Sequence, residues 1–279
     1  LLLARFTRKH VTVALTGDGG DELLLGYQHI PAHVWANRLP RIPSFIARIL
    51  EKIPSRSGYF SFGFKAQRLA RGLPESDPWV RDLAWRGSWT RPDLSSLLLP
   101  NVREQAQPEF ADKQFAERAN EVGRVSFWQK WSWGYLRTYL MDDVLVKVDR
   151  STMRFSLEAR SPLLDARVVS YLWSLPDGFK LGAWKYKRLL KELVRGRIPN
   201  EILDRPKHGF AVPIAEWLRG PLAAKLAEVS EPDFLSKQGL FDPSFIQKVI
   251  EEHRVGGKDR RKELWAFFMF QLWYRRWMS

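Results

Sequence analysis

The 279-residue sequence contains no cysteine, which excludes disulfides, thiolate metal sites and a cysteine nucleophile within it. No run approaches the roughly 18 apolar residues that span a bilayer, and nothing resembles a cleavable signal peptide. There is no internal repeat and no low-complexity linker, so neither organises the chain. These absences fit a cytoplasmic protein that is not a membrane partner. The sequence also lacks an initiating methionine: Leu1 lies in an apolar, basic segment with helical character from Leu1 to Arg8, and the protein is expected to extend upstream.

Hydrophobic residues make up 45% of the chain and aromatic residues 13%, enough for one large core or two small ones. Thirteen tryptophans suit bulky packing between helices better than a ring-stacking ligand site. The formal charge of +14 makes polyanions natural partners, whether nucleic acid, a membrane surface or phosphate-bearing small molecules, and charge alone does not choose among them. The densest basic cluster, Lys258 to Lys262 with Asp259 inside it, reads equally as a solvated loop or a functional patch.

Val11 to Leu15 is a short apolar run of the kind buried in a parallel sheet. It breaks into Thr16-Gly17-Asp18-Gly19-Gly20-Asp21-Glu22, and Leu23 to Leu25 then opens a helix. Glycines let backbone turn tightly and approach a ligand at the C-terminal end of a strand. Carboxylates there suit Mg²⁺, which takes one or two of them together with phosphate oxygens. A metal or nucleotide role and a plain structural turn both remain open on this pattern.

The rest reads as mostly helical. Pro31 to Pro100 is helical pattern punctuated by prolines, Asn101 to Phe110 a polar break, and Ala111 to Leu140 helix again. Further helices are expected at Ala166 to Trp173, with Asp165 as its N-cap, and at Tyr186 to Arg195. Pro213 should start a short helix ending before Gly220. The last helix, Arg261 to Trp277, has apolar residues at 264, 265, 268, 269, 272 and 273, a stripe that suits core packing. Lys185 and Lys187 fall near a helix N-terminus, where a cation opposes the dipole and a bound anion would offset it.

Four ordered blocks resemble the asparagine synthetase family. They are the Thr16 to Glu22 loop with Gly26-Tyr27, Asp142 to Met153 followed by Leu157 to Asp165, Arg205 to Phe210 with Trp217-Leu218, and the closing helix. The resemblance implies an α/β fold: part of an adenine-nucleotide alpha-hydrolase-like (ATP pyrophosphatase) domain, mostly helical in this stretch. It reads residues 1–279 as the C-terminal part of a glutamine-hydrolysing synthetase domain. It implies ATP and Mg²⁺ as cofactors, and ATP, aspartate or a similar carboxylate, and glutamine-derived ammonia as substrates. It also admits a homodimer.

By that resemblance Asp18 and Lys187 are the catalytic candidates. Thr16, Gly17, Gly19, Gly20, Asp21, Lys147, Asp149 and Lys207 would bind ATP or pyrophosphate, with Asp21 holding Mg²⁺ through pyrophosphate. Two features depart from the family pattern. Asp18 stands where asparagine synthetases often carry Glu, and Lys191 replaces the usual Arg after Lys187. The family's Ser-Gly-Gly-x-Asp-Ser loop and its glutaminase cysteine do not occur in the sequence. The isolated chain is therefore expected to bind ATP poorly, to leave glutamine unhydrolysed and to be inactive as a ligase. A relative with another acceptor is the first alternative, and a basic nucleic-acid-binding module the weaker second.

Overall fold

Val11 donates its amide to the Thr7 carbonyl at 3.0 Å, closing the turn after the helix Leu2–Thr7. The strand therefore starts two residues later than its apolar run suggests. Strand β1 (Val13–Leu15) pairs in parallel with β2 (Glu158–Arg160), Val13 opposite Glu158 and Leu15 opposite Arg160. The computed structural model describes residues 1–38, 44–51, 53, 62–107, 109–181, 186–205, 212–256 and 258–278. These fall into two compact units, one of residues 1–34 with 113–206 and one of 35–112 with 207–279.

In the first unit the sheet carries helices Gly20–Leu23, Phe127–Tyr135, Val146–Met153, Ala166–Ser174 and Arg188–Val194. The expected helix over 111–140 is interrupted. Gly123 turns at φ 71°, and Ser126 then opens Phe127–Tyr135 with a reciprocal cap to Gln129. This helix continues as a π-helix, Leu136–Leu145, a form that often marks functional regions. Asp165 caps Ala166–Ser174 as expected, accepting from the Arg167 amide at 2.9 Å.

Two clusters fix the loop after β1 within this unit. Leu23, Leu24 and Leu172 are buried together against Leu164, Val168, Leu189 and Leu190. Tyr27 lies among His29, Trp131, Tyr135 and Tyr139, with Trp131 and Tyr135 stacked at 3.9 Å between centroids. Here the tryptophan load serves packing.

The second unit is helical over most of its described length. Pro78, Pro92, Pro100, Pro232 and Pro243 all lie in first turns, where a missing amide costs nothing. Pro100 thereby starts a helix, Pro100–Ala106, in what the sequence pattern marks as a polar break. Helix Ile214–Arg219 sits between Pro213 and Gly220 as expected.

The closing helix has the expected bounds, Arg261–Trp277, but a different buried face. Arg261, Glu263, Leu264, Phe267, Phe268 and Gln271 are buried, while Met269 is 46% and Trp273 50% exposed. Charge pairing explains the shift. Arg261 binds Asp259 through its side chain, with Nε 2.7 Å from Oδ2, and Glu263 pairs with Arg71 and Arg260. The Lys258 to Lys262 cluster is thus in part a buried ion-pair network. Leu264, fully buried in the core with Leu218, Ile246 and Phe268, anchors the helix. Leu264→Ala is expected to destabilise the protein by about 2–5 kcal/mol, read as a lowered thermal midpoint.

Candidate functional site

Parallel strands deliver their C-terminal ends to the same edge, and both ends here carry polar side chains. The Thr16 amide donates to the Arg160 carbonyl at 2.8 Å, extending the ladder past β1. The Thr16 hydroxyl donates to Asp18 Oδ2 at 2.8 Å and lies 2.8 Å from Ser161 Oγ. Each hydroxyl has one proton, so Ser161 donates to Thr16 and Thr16 to Asp18.

Gly19 then turns in the left-handed region at φ 84° and caps the short helix Gly20–Leu23. A Cβ on Gly19 would also overlap Leu164. A Cβ on Gly17 would meet nothing within 4 Å, and its φ is not left-handed, so neither packing nor backbone demands glycine there. The Gly20 amide is used inside the turn, donating to the Gly17 carbonyl at 3.2 Å.

Asp21 lies in the first turn of that helix, and Lys187 Nζ is 3.0 Å from its Oδ1. The two side chains are 29% and 27% exposed, so the pair is within reach of solvent and of ligands. Lys187 is not inside a helix as its sequence spacing suggests. It adopts φ 50°, ψ 43° and caps Arg188–Val194, its carbonyl accepting from the Lys191 amide at 3.0 Å. A non-glycine residue in this conformation carries strain, which the surrounding packing sustains.

Behind the pair is Glu22, 3% exposed, which accepts a hydrogen bond from the Tyr27 phenol. Ser132 donates to the Glu22 carbonyl at 2.8 Å, tying the loop to helix Phe127–Tyr135. Burial pushes the Glu22 carboxyl above its ordinary range. The Tyr27 bond and Lys187 pull it down, and neighbouring Asp21 adds to the rise. Burial and the Glu22 charge likewise raise the Tyr27 phenol.

A carboxyl raised in the folded state favours folding at low pH, and that contribution is lost as pH rises through the folded value. Glu22→Gln keeps an acceptor for Tyr27 and removes the buried charge. Its thermal midpoint relative to the parent should therefore be higher at pH 7 than at about pH 4, where both side chains are neutral. An equal difference at both values would contradict the raised carboxyl.

The remaining predicted residues divide. Lys147 is exposed and pairs with Asp143 at 3.9 Å, and Asp149 is exposed with its carbonyl bound by Thr152. No direct contact described for Lys147 or Asp149 joins them to Asp18, Asp21 or Lys187. Lys207, with its block Arg205 to Phe210 beyond Arg205, and Lys185 lie outside the described residues. Ser161, Gly26 and Tyr27 enter the site although sequence reasoning assigned them no role, and Glu22, one of the loop carboxylates that suit Mg²⁺ on sequence, is instead buried behind the pair. All four stand within the quoted motifs, which was the available signal.

Carboxylates on a glycine-rich turn where parallel strands end, joined by a lysine from a helix cap, place a charged polar site at the usual location for one in an α/β protein. Residues 1–275 match the family model described as asparagine synthase, and the chain belongs to that family. Its domain has the adenine nucleotide alpha-hydrolase-like fold.

Among relatives, a Mycobacterium tuberculosis protein provisionally named a glutamine-hydrolysing asparagine synthetase is 30% identical, covering 98% of this chain and 40% of its own length. Asparagine synthetase 1 of Bacillus subtilis is 26% identical, over 98% of this chain and 42% of its own length. A Gibberella zeae protein named Amidase chry2 is 22% identical over 86% of this chain and 38% of its length. The chain thus spans about two-fifths of the curated relatives it matches. Among the described residues no helix is long and apolar enough to cross a membrane.

Proposed function

We propose that residues 1–279 are the C-terminal part of the synthetase domain of a glutamine-hydrolysing asparagine synthetase, contributing to ATP-dependent amide formation. The Asp21–Lys187 pair at the end of β1 carries this reading. The greater length of the relatives supports it, as does the sheet itself. Two parallel strands with Leu15 73% exposed support further chain covering the sheet, since parallel sheets are ordinarily covered on both faces.

In the proposed reaction a carboxylate oxygen of the substrate attacks the α-phosphorus of ATP. The bond to the bridging oxygen breaks, and pyrophosphate leaves. Ammonia then attacks the acyl carbon of the adenylate and AMP departs with the carboxylate oxygen. Lys187 would offset negative charge on the transferring phosphate, the kind of preorganised electrostatic contact that lowers such barriers. Asp18, held by Thr16, would face the reacting acyl group, and Thr16, Gly17 and Gly19 would lie along the phosphates.

The residues present fit Mg²⁺: Asp21 offers a hard carboxylate oxygen and already holds a cation, the Lys187 ammonium. Asp21 would hold the ion together with pyrophosphate. Bound there, Mg²⁺ would neutralise phosphate charge.

Asp18 bears on the acceptor. It is one methylene shorter than the Glu common at this position, and Amidase chry2 is among the relatives, so a carboxylate other than aspartate is the second reading. A nucleic-acid module is disfavoured, because Trp131 and Tyr135 are buried and Arg260 and Arg261 are held in ion pairs.

The test is to supply the longer protein with Mg-ATP, aspartate and ammonium. Asparagine, AMP and pyrophosphate in equal amounts are expected. ADP and phosphate would contradict the reading, and AMP formation only with another carboxylate would favour the second acceptor.

A further inference from the structure

Gly26 is conspicuous because its backbone does not need it. Its φ lies outside the left-handed region, unlike that of Gly19 or of Leu25 just before it. What needs glycine is the space beside it. A Cβ on Gly26 would overlap Asp21 Oδ1 and Lys187 Cε and lie 3.0 Å from Lys187 Cγ. Gly20 forms the other side, its hypothetical Cβ lying 3.5 Å from Lys187 Nζ and 3.0 Å from Leu163 Cδ1. The Lys187 stem therefore crosses Gly26, and its ammonium ends beside Gly20 on reaching Asp21.

Other contacts hold the two segments in this relation. The Gly26 amide donates to the Asp21 carbonyl at 2.9 Å, tying the two backbones together. The Tyr186 hydroxyl donates to the Gln28 carbonyl at 3.3 Å, joining the residue before Lys187 to the segment after Gly26. Lys187 itself is aimed by a left-handed backbone at φ 50°, a conformation that costs free energy and persists only where the surroundings impose it.

We propose that Gly26 is a positioning residue that seats the Lys187 side chain against Asp21, with Gly20 as the second wall of the groove. This rests on the proposed role of Lys187 at the phosphates. The obstructing atoms belong to side chains rather than backbone, so an alanine at position 26 is accommodated by Lys187 and Asp21 moving apart. The fold survives and the pair does not. Misplacement of a reacting group by about 1 Å costs about a hundred-fold in rate.

The experiment compares Gly26→Ala, Lys187→Ala and the double variant in the longer protein, with Mg-ATP, aspartate and ammonium as reactants. Two quantities are read: the rate of pyrophosphate release, and the rate at which acetic anhydride acetylates Lys187, followed by peptide mass spectrometry. Gly26→Ala should lower release by about a hundred-fold and speed acetylation of Lys187, because the ammonium no longer sits on Asp21.

In the double variant the loss should be well below the product of the two single losses, since the obstructed Lys187 stem is gone and only Asp21 Oδ1 still meets the new Cβ. Unchanged acetylation in Gly26→Ala, or a double-variant loss equal to the product of the two single losses, would overturn the proposal. Normal release by Lys187→Ala would instead remove the proposed role of Lys187, and the acetylation comparison would still decide whether Gly26 seats it. Should Gly26→Ala misfold, refolding of the double variant supports the seating, and continued misfolding overturns it.

Discussion

Lys187→Ala is expected to lower pyrophosphate release by about a hundred- to a thousand-fold, equivalent to roughly 2.7–4 kcal/mol of transition-state stabilisation, by analogy with loss of one preorganised donor. The position of the side chain supports so large an effect. It is anchored by its own strained backbone, crosses Gly26, and ends beside Gly20 and 3.0 Å from Asp21 on a partly solvent-accessible edge. Its fold contribution is small by comparison, because partly exposed ion pairs contribute about 0–1 kcal/mol. Lys185→Ala is the control and is expected to change release by less than about two-fold. A helical spacing argument would separate these two lysines by orientation, but Lys187 is a left-handed cap and that argument does not apply to it. The Asp21 contact distinguishes it instead.

Asp21→Asn should produce the second large loss, about a hundred-fold or more in pyrophosphate release. Asparagine keeps the shape of the side chain and removes its charge, so two things fail together. Lys187 loses its ionic partner, and the proposed cation loses a carboxylate oxygen. The thermal midpoint should move little, since the pair is partly exposed. Glutamate production from glutamine in the longer protein should persist, because that reaction is proposed to lie elsewhere. Normal pyrophosphate release would remove Asp21 from the site.

Parts of this architecture are legible in the sequence wherever a local rule governs. Val11 to Leu15 followed by glycines signals a strand ending in a tight turn, although the strand itself begins at Val13. Asp165 before an apolar helix signals a cap, and Pro213 and Gly220 bracket a short helix. The match of the Arg261–Trp277 bounds has the same origin, a sustained helical period.

Tertiary partners decide the rest. Nothing near Lys187 in sequence announces φ 50°, because Gly20, Gly26 and Asp21, which surround its side chain, lie far away along the chain. Ser161 becomes a donor to Thr16 only because β2 ends beside β1. On the closing helix, Arg261 and Glu263 take buried positions because Asp259, Arg71 and Arg260 neutralise them, displacing Met269 and Trp273 to the surface. Hydrophobic periodicity cannot foresee buried charges that are paired. Short π-helical geometry such as Leu136–Leu145 likewise leaves no periodic mark of its own.

If the loop after β1 serves adenylation of a carboxylate, isotope transfer from that carboxylate reports it. Aspartate labelled with ¹⁸O in its side-chain carboxylate would be turned over by the longer protein with Mg-ATP and ammonium, and the products separated by mass. If a carboxylate oxygen attacks the α-phosphorus, one ¹⁸O should appear in each AMP formed, and Lys187→Ala should slow that transfer in proportion to pyrophosphate release. Label in inorganic phosphate, or AMP without label, would contradict the account.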